Sequence, residues 1–206
     1  MNHPIEILIV QGSPKRPSTT AAMLTSLSEM YQNLGQTPQT VDLRDLDLPL
    51  FSPNTRHEVD ILPELKAKVL AASVIVLGTP DYHGAPSSSI INFMDYFWHE
   101  FTGKLFAYVC ASHDKGLTAM DILRVSVRQC YGWSMPYGVC GVEGSDVDND
   151  GAIINPSLEN RLQMLAQDSL NYGTCLQGQR KQDLESEYPS FLAKQRDPRI
   201  NKAKST

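Results

Sequence analysis

Cysteine is sparse and unpatterned in this chain. Cys110, Cys130, Cys140 and Cys175 form no C-x-x-C pair and no zinc-type spacing, so buried thiols in a reducing, cytoplasmic setting are the expectation. Positive charge is also in short supply. Eighteen Lys and Arg stand against 23 Asp and Glu, a formal net charge of −5, which argues against nucleic acid as the main partner. No apolar run approaches the ~20 residues needed to span a bilayer. Met1-Asn2-His3-Pro4 has no basic segment ahead of the first strand, so no secretory signal is expected there. Two phosphate-binding signatures are missing as well: neither G-x-x-x-x-G-K-[ST] nor G-x-G-x-x-G occurs. The usual triphosphate and dinucleotide sites are thereby excluded, and a phosphate monoester is left as the natural anion.

What is present begins at Ile5. A β-branched run to Val10 leads into Gly12-Ser13-Pro14-Lys15-Arg16-Pro17-Ser18-Thr19-Thr20, after which Met23, Leu27, Met30 and Leu34 recur at helical spacing. Strand, polar loop and helix in that order gather free backbone N–H groups, hydroxyls and two cations at the positive end of a helix dipole. With 206 residues, 41% of them hydrophobic, the chain is long enough to bury a sizeable core.

Strands and helices alternate along the rest of the chain. The pattern predicts a helix over 18–34 ended by Gly35, and a short strand over 40–43. An extended connection follows through Pro49 and Pro53, then a helix over 63–72 and a fully covered strand over 74–77. The segment 78–86 reads as a loop, and Ile90, Met94, Phe97 and Phe101 read as a third helix. Strands at 105–111 and 137–141 flank a loop at 112–116 and a helix through Met120, Leu123, Val127 and Tyr131. A last helix opens at Asn155-Pro156, with Gly173 placed to end it. Such alternation implies a three-layer α/β sandwich, a five-stranded parallel sheet with helices on both faces. Ligands of such sheets sit beyond the carboxyl ends of the strands, which is the address shared by the loops 12–20, 78–86 and 112–116. Cations and hydroxyls in the first loop suit a phosphate. The other two, with Tyr82, His83, Ser112, Lys115 and Gly116, suit a flat ring.

Gly12-Ser13-Pro14-Lys15-Arg16-Pro17-Ser18 resembles the phosphate loop of the NAD(P)H-dependent FMN reductase family. Pro80-Asp81-Tyr82-His83-Gly84, with Asn92 and Asp95 beyond it, is similar to that family's second motif. Lys15 stands where the family usually has arginine, Ile91 where it has lysine and Ser88 where it has glycine. The resemblance covers roughly residues 5–175 and implies a flavodoxin-like fold with strand order 2-1-3-4-5. It further implies an oxidoreductase that carries hydride from NADPH or NADH through FMN to a flavin, quinone or similar small acceptor. The flavin carries the chemistry, so no residue is assigned as catalytic and no metal is expected. Gly12, Ser13, Lys15, Arg16, Ser18, Thr19, Thr20, Thr79, Pro80, Asp81, Tyr82, His83, Gly84, Ser112, Lys115 and Gly116 are the cofactor-binding candidates. Two alternatives stand beside this reading: a flavodoxin-type electron carrier, which usually has an uncharged phosphate loop, and a flavin-free scaffold.

Three further expectations concern assembly and the chain's second half. Phe93, Phe97, Trp98 and Phe101 spread around more than one helix face, which predicts a homodimer or homotetramer with a partner subunit covering the surplus. Asp146-Val147-Asp148-Asn149-Asp150-Gly151 opens like a calcium loop, but Ser157 stands where the bidentate glutamate belongs. Capping carboxylates are therefore the better account. From residue 177 to 206, seven Lys or Arg outnumber four Asp or Glu, setting a basic, polar extension apart from an acidic body over 1–176. Tyr188, Phe191, Leu192 and Ile200 predict that it docks on that body or on a neighbouring subunit.

Overall fold

The sheet is built from the aliphatic and β-branched runs. In the computed structural model, which describes residues 5–54, 58–187 and 190–196, β1 (Ile7–Gln11) is buried throughout. The residues 1–4, His57, Tyr188 and Ile200 lie outside the described residues. β1 pairs in parallel with β2 (Gln39–Asp42) on one side and β3 (Val74–Tyr82) on the other. β3 pairs in parallel with β5 (Leu105–Ala111). The position beyond β5 is filled by two short pieces, β6 (Trp133–Ser134) and β7 (Val139–Gly141), each parallel to β5. Counted by position, the parallel order is the expected 2-1-3-4-5, and a two-residue β4 (Ala85–Pro86) lies antiparallel on the end of β3.

Alternate residues of each strand feed two cores, as the period of two requires. Ile7, Ile9, Val74 and Val76 pack under α1 (Thr19–Asn33) and α5 (Pro156–Glu185). Leu8, Val10, Ile75 and Leu77 pack under α2 (Leu62–Ala71), α3 (Ser88–Asp95) and α4 (Leu117–Gln129). That is the flavodoxin-like three-layer sandwich. It sets the carboxyl ends of β1, β3 and β5 side by side along one rim.

Several local expectations need correction. β3 does not stop at Leu77, because Gly78, Thr79 and Pro80 stay in register with Val109, Cys110 and Ala111 of β5. The segment 78–86 is therefore the end of a strand followed by a hairpin, since the pairing partner outweighs the loop-like composition. The fifth strand is split because the chain leaves the ladder between Met135 and Gly138, where Pro136 has no N–H to give. The third helix ends at Asp95, and a separate 3-10 turn spans His99–Phe101. Gly173 does not end α5, which runs 30 residues and crosses the 176/177 junction without a break. A Cβ at Gly173 would lie 2.4 Å from Val74 Cγ2 and 2.9 Å from Ile5 Cδ1, so the glycine serves a close helix–sheet approach.

The aromatic surplus is also resolved within the chain. Phe93, Phe97 and Phe101 are buried and pack on one another, with ring centroids 5.1 to 6.3 Å apart. They are core, and Trp98 alone of the four is exposed. Beyond α5, α6 (Phe191–Arg196) folds back so that Phe191 meets Tyr131 edge-on at 5.3 Å. In the 146–151 turn, Asp146 accepts hydrogen bonds from the Val142 N–H and the Asn155 side chain. Asp148 accepts from the Asp150 and Ala152 N–H groups. These carboxylates cap turns.

Candidate functional site

The site is organised from the last residue of β1. Gln11 is buried, and its Nε2 donates to Ser13 O at 3.0 Å and to Asp42 Oδ1 at 3.1 Å, while its Oε1 accepts the Ser13 N–H. One side chain thus fixes the turn of the 12–20 loop and ties it to β2. Asp42 in turn accepts a forked hydrogen bond from Arg44, whose Nη1 donates to Lys15 O at 2.8 Å. Burial raises the Asp42 carboxyl, but the bonds from Arg44 and Gln11 outweigh it and hold the group below its ordinary value. Gly12 passes directly over β3: its N–H donates to Gly78 O at 2.8 Å, and a Cβ would lie 2.9 Å from both Gly78 O and Ile90 Cβ. At the start of α1, Ser18 is the N-cap, its Oγ accepting from the Ala21 N–H at 3.2 Å.

The second wall is the β3–β4 hairpin. His83 and Gly84 are its two turn residues, with φ of 59° and 82°, the left-handed pair that a tight two-residue hairpin requires. Asp81 clamps it, accepting from Gly84 N–H at 2.7 Å through Oδ1 and from Ser112 Oγ at 3.1 Å through Oδ2. That second bond joins the hairpin to the 112–116 loop. Thr79 is buried and accepts from the Ser87 N–H at 2.9 Å, fixing the start of α3.

Between these walls lies a cavity of about 240 Å³. Ser13, Lys15, Ser18, Thr19 and Thr20 line one end; Pro80, Asp81, Tyr82 and Ser112 line the other, joined by Ala111, His113 and Glu143. The remaining sequence candidates are not among the lining residues. Arg16 reaches outward to Asp45, and Gly12, Thr79, His83, Gly84, Lys115 and Gly116 shape the loops. Lys15 Nζ meets Glu143 Oε1 at 2.5 Å, an ion pair about half exposed on each side. Sequence reasoning missed Gln11, His113 and Glu143. Glu143 follows β7 at the carboxyl-end rim, so the address rule used for the other three loops was the signal available for it.

The cavity is suited to an anion at one end. Thr20 is 1% exposed, and its Oγ1 has no hydrogen-bond partner among the described residues. A buried hydroxyl without a partner is costly, and Thr20 is a lining residue in the first turn of α1, whose first N–H groups have no intrahelical acceptor. A phosphate oxygen at that end would suit both and the charge of Lys15. The walls of Pro80, Tyr82, Ala111 and His113 offer flat and apolar surface to a ring. The residues present therefore fit FMN.

Comparison with known proteins supports the same direction. The chain is 28% identical over 137 residues to the FMN-dependent NADPH-azoreductase of Staphylococcus aureus (strain USA300), covering 63% of this chain and 72% of that protein. In fold it is similar to FerB, a flavoenzyme NAD(P)H:(acceptor) oxidoreductase from Paracoccus denitrificans. The TM-score is 0.70 at 16% identity, over 82% of this chain and 97% of that one. A flavodoxin from the domain Archaea also shares the fold, with a TM-score of 0.59 at 13% identity over 82% and 99% of the two chains. Fold alone does not separate enzyme from carrier; the family does. The model of the NADPH-dependent FMN reductase family matches residues 5–145, most of the sheet and all the loops that line the cavity, and the chain belongs to that family.

Proposed function

We propose that this chain is an FMN-dependent NAD(P)H oxidoreductase whose FMN sits in the cavity between the 12–20 loop, the β3–β4 hairpin and the 112–116 loop. Bound FMN supplies hydride acceptance from NADPH or NADH and its donation to a small flavin, quinone or azo-type acceptor. The chain's residues bind and orient. Ser13, Lys15, Ser18, Thr19 and Thr20 would hold the phosphate, with the α1 dipole adding to the charge of Lys15. Pro80, Asp81, Tyr82, Ser112 and His113 would hold the ring system. Gly12, Thr79, His83, Gly84 and Gly116 would shape the loops that carry those contacts, with Arg16 and Lys115 adding positive charge on the same two loops. No side chain is assigned as nucleophile, acid or base, because positioning supplies what the chain adds to the chemistry.

The observation that carries this reading is that Thr20 lines the cavity in the first turn of α1 with its hydroxyl buried and unpartnered among the described residues. The azoreductase kinship favours a reductase over an electron carrier. The test is the absorbance spectrum of the purified chain loaded with FMN, recorded anaerobically before and after NADPH. Bleaching of the flavin bands without any added protein supports the enzyme; an unchanged flavin spectrum points to the carrier.

The same reading includes a homodimer or homotetramer and a cytoplasmic setting. The oligomer is supported by α4, whose outer face exposes Leu117, Ile122 and Val125 among polar residues. The cytoplasmic setting is supported by the four free thiols. No helix among the described residues is long and apolar enough to cross a membrane.

A further inference from the structure

Cys110 and Cys140 stand directly opposite each other on paired parallel strands, β5 and β7. Partners in such a ladder are separated by about 4.8 Å, inside the Cα separation a disulfide spans. Their side chains leave the same face of the sheet, and both sulfurs lie beneath Gly116: a Cβ there would be 2.8 Å from Cys110 Sγ and 3.4 Å from Cys140 Sγ. Both are free thiols. Cys110 is fully buried, whereas Cys140 is partly open, its Sγ donating to Asp114 O at 3.2 Å. Cys110 immediately precedes Ala111 and Ser112, at the root of the loop that walls the cavity, and Cys140 lies beside it on β7.

We infer that Cys110 and Cys140 are a redox pair that closes into a reversible disulfide at the root of the 112–116 loop. Hydrogen bonding between the two thiols lowers Cys140 and, together with burial, raises Cys110. Cys140 is accordingly the attacking group and Cys110 the one that resolves. With a low-molecular-weight disulfide as oxidant, the Cys140 thiolate attacks one sulfur, forms a mixed disulfide and releases the first small thiol. Cys110 loses its proton and attacks Cys140 Sγ, which releases the second. The two protein thiols are oxidised, the small disulfide is reduced, and the two protons leave on the released thiols.

Closure consumes the Cys140 proton, so the hydrogen bond to Asp114 O is lost and the 112–116 loop gives up one tie. That consequence rests on the FMN reading above. The loss of one such bond corresponds to FMN binding about two- to tenfold weaker in the oxidised protein.

The experiment uses the full chain, reduced, freed of reductant and exposed anaerobically to oxidised glutathione, then alkylated in denaturant and mapped by peptide mass. The expected result is a Cys110–Cys140 cross-linked peptide, reopened by dithiothreitol, with Cys130 carrying the alkyl label. In Cys110→Ala, glutathione should remain on Cys140. Alkylation of both Cys110 and Cys140 after oxidant, with exposed Cys175 alone modified, would overturn the inference. FMN titration of reduced and oxidised samples separates the remaining outcomes. A bridge that leaves FMN affinity unchanged overturns the coupling to the loop. A bridge in a protein that binds no FMN even when reduced overturns the functional reading and leaves the redox pair standing.

Discussion

Thr20 is where the account is most exposed at the scale of a single residue. Its hydroxyl is buried with no hydrogen-bond partner among the described residues, so removing it should relieve a cost in the FMN-free protein and create one in the complex. Thr20→Val should leave the apo melting temperature equal or higher. It should weaken FMN by about tenfold or more, the scale of one hydrogen bond to a charged group, measured by flavin fluorescence quenching. A hydroxyl with a purely structural role would instead lower apo stability. Lys15 and Arg16 look alike in the sequence, and space separates them: Lys15 crosses to Glu143 while Arg16 turns to Asp45. Both pairs are well exposed and individually weak, so Lys15 can leave Glu143 for a phosphate. Gln11 could not have been singled out from the sequence, where it ends an apolar run. Its role exists only because β2 brings Asp42 alongside.

Among elements, strand β1 and its loop could be read directly, since a β-branched run, a glycine and an N-cap serine are local signals. The 78–86 segment could not. Thr79, Pro80 and Asp81 look like loop, and only the register with β5 makes them strand. The same lesson holds for α5. A glycine near an expected helix end resembles a stop signal, whereas Gly173 is kept for its contact with Val74 and Ile5. Mid-helix, Gly→Ala ordinarily stabilises by about 1 kcal/mol. Here the added methyl meets packed side chains, at about 1–3 kcal/mol of overpacking. Gly173→Ala should therefore lower the midpoint of chemical denaturation, and a raised midpoint would show the contact to be slack.

The junction of β1 and β2 carries a pH signature. The folded-state value of Asp42 is depressed, so its contribution is present above the unfolded value and is lost as pH falls through the folded one. The stability gap between the native chain and Asp42→Asn should be largest near neutral pH and should shrink as pH drops past the ordinary 3.8. A gap that does not change over that range would remove Asp42 as the ionised anchor of the loop.

On the scale of the whole molecule, the aromatic argument for assembly fails because Phe93, Phe97 and Phe101 fill the chain's own core, while the outer face of α4 offers an alternative surface. Light scattering at micromolar concentration should give at least twice the 22.9 kDa chain mass. Replacing Ile122 and Val125 by lysine should reduce it to one chain, and a native monomer would end the proposal. The three layers were readable from the alternation, while the strand order came with the family resemblance. The site was readable in part, because its three loops share one rim by topology but Glu143 joins them only through the split fifth strand.

The central claim is that one cavity holds FMN by its phosphate at the start of α1. Paired titrations of the apo chain with FMN and riboflavin, which differ by that phosphate alone, test it most directly, with the native chain and Lys15→Ala run side by side. The account predicts that the native chain binds FMN at least about tenfold more tightly than riboflavin, and that Lys15→Ala lowers the affinity for FMN while leaving riboflavin almost unchanged. Equal affinity for the two ligands, or equal losses for both in the variant, would contradict it.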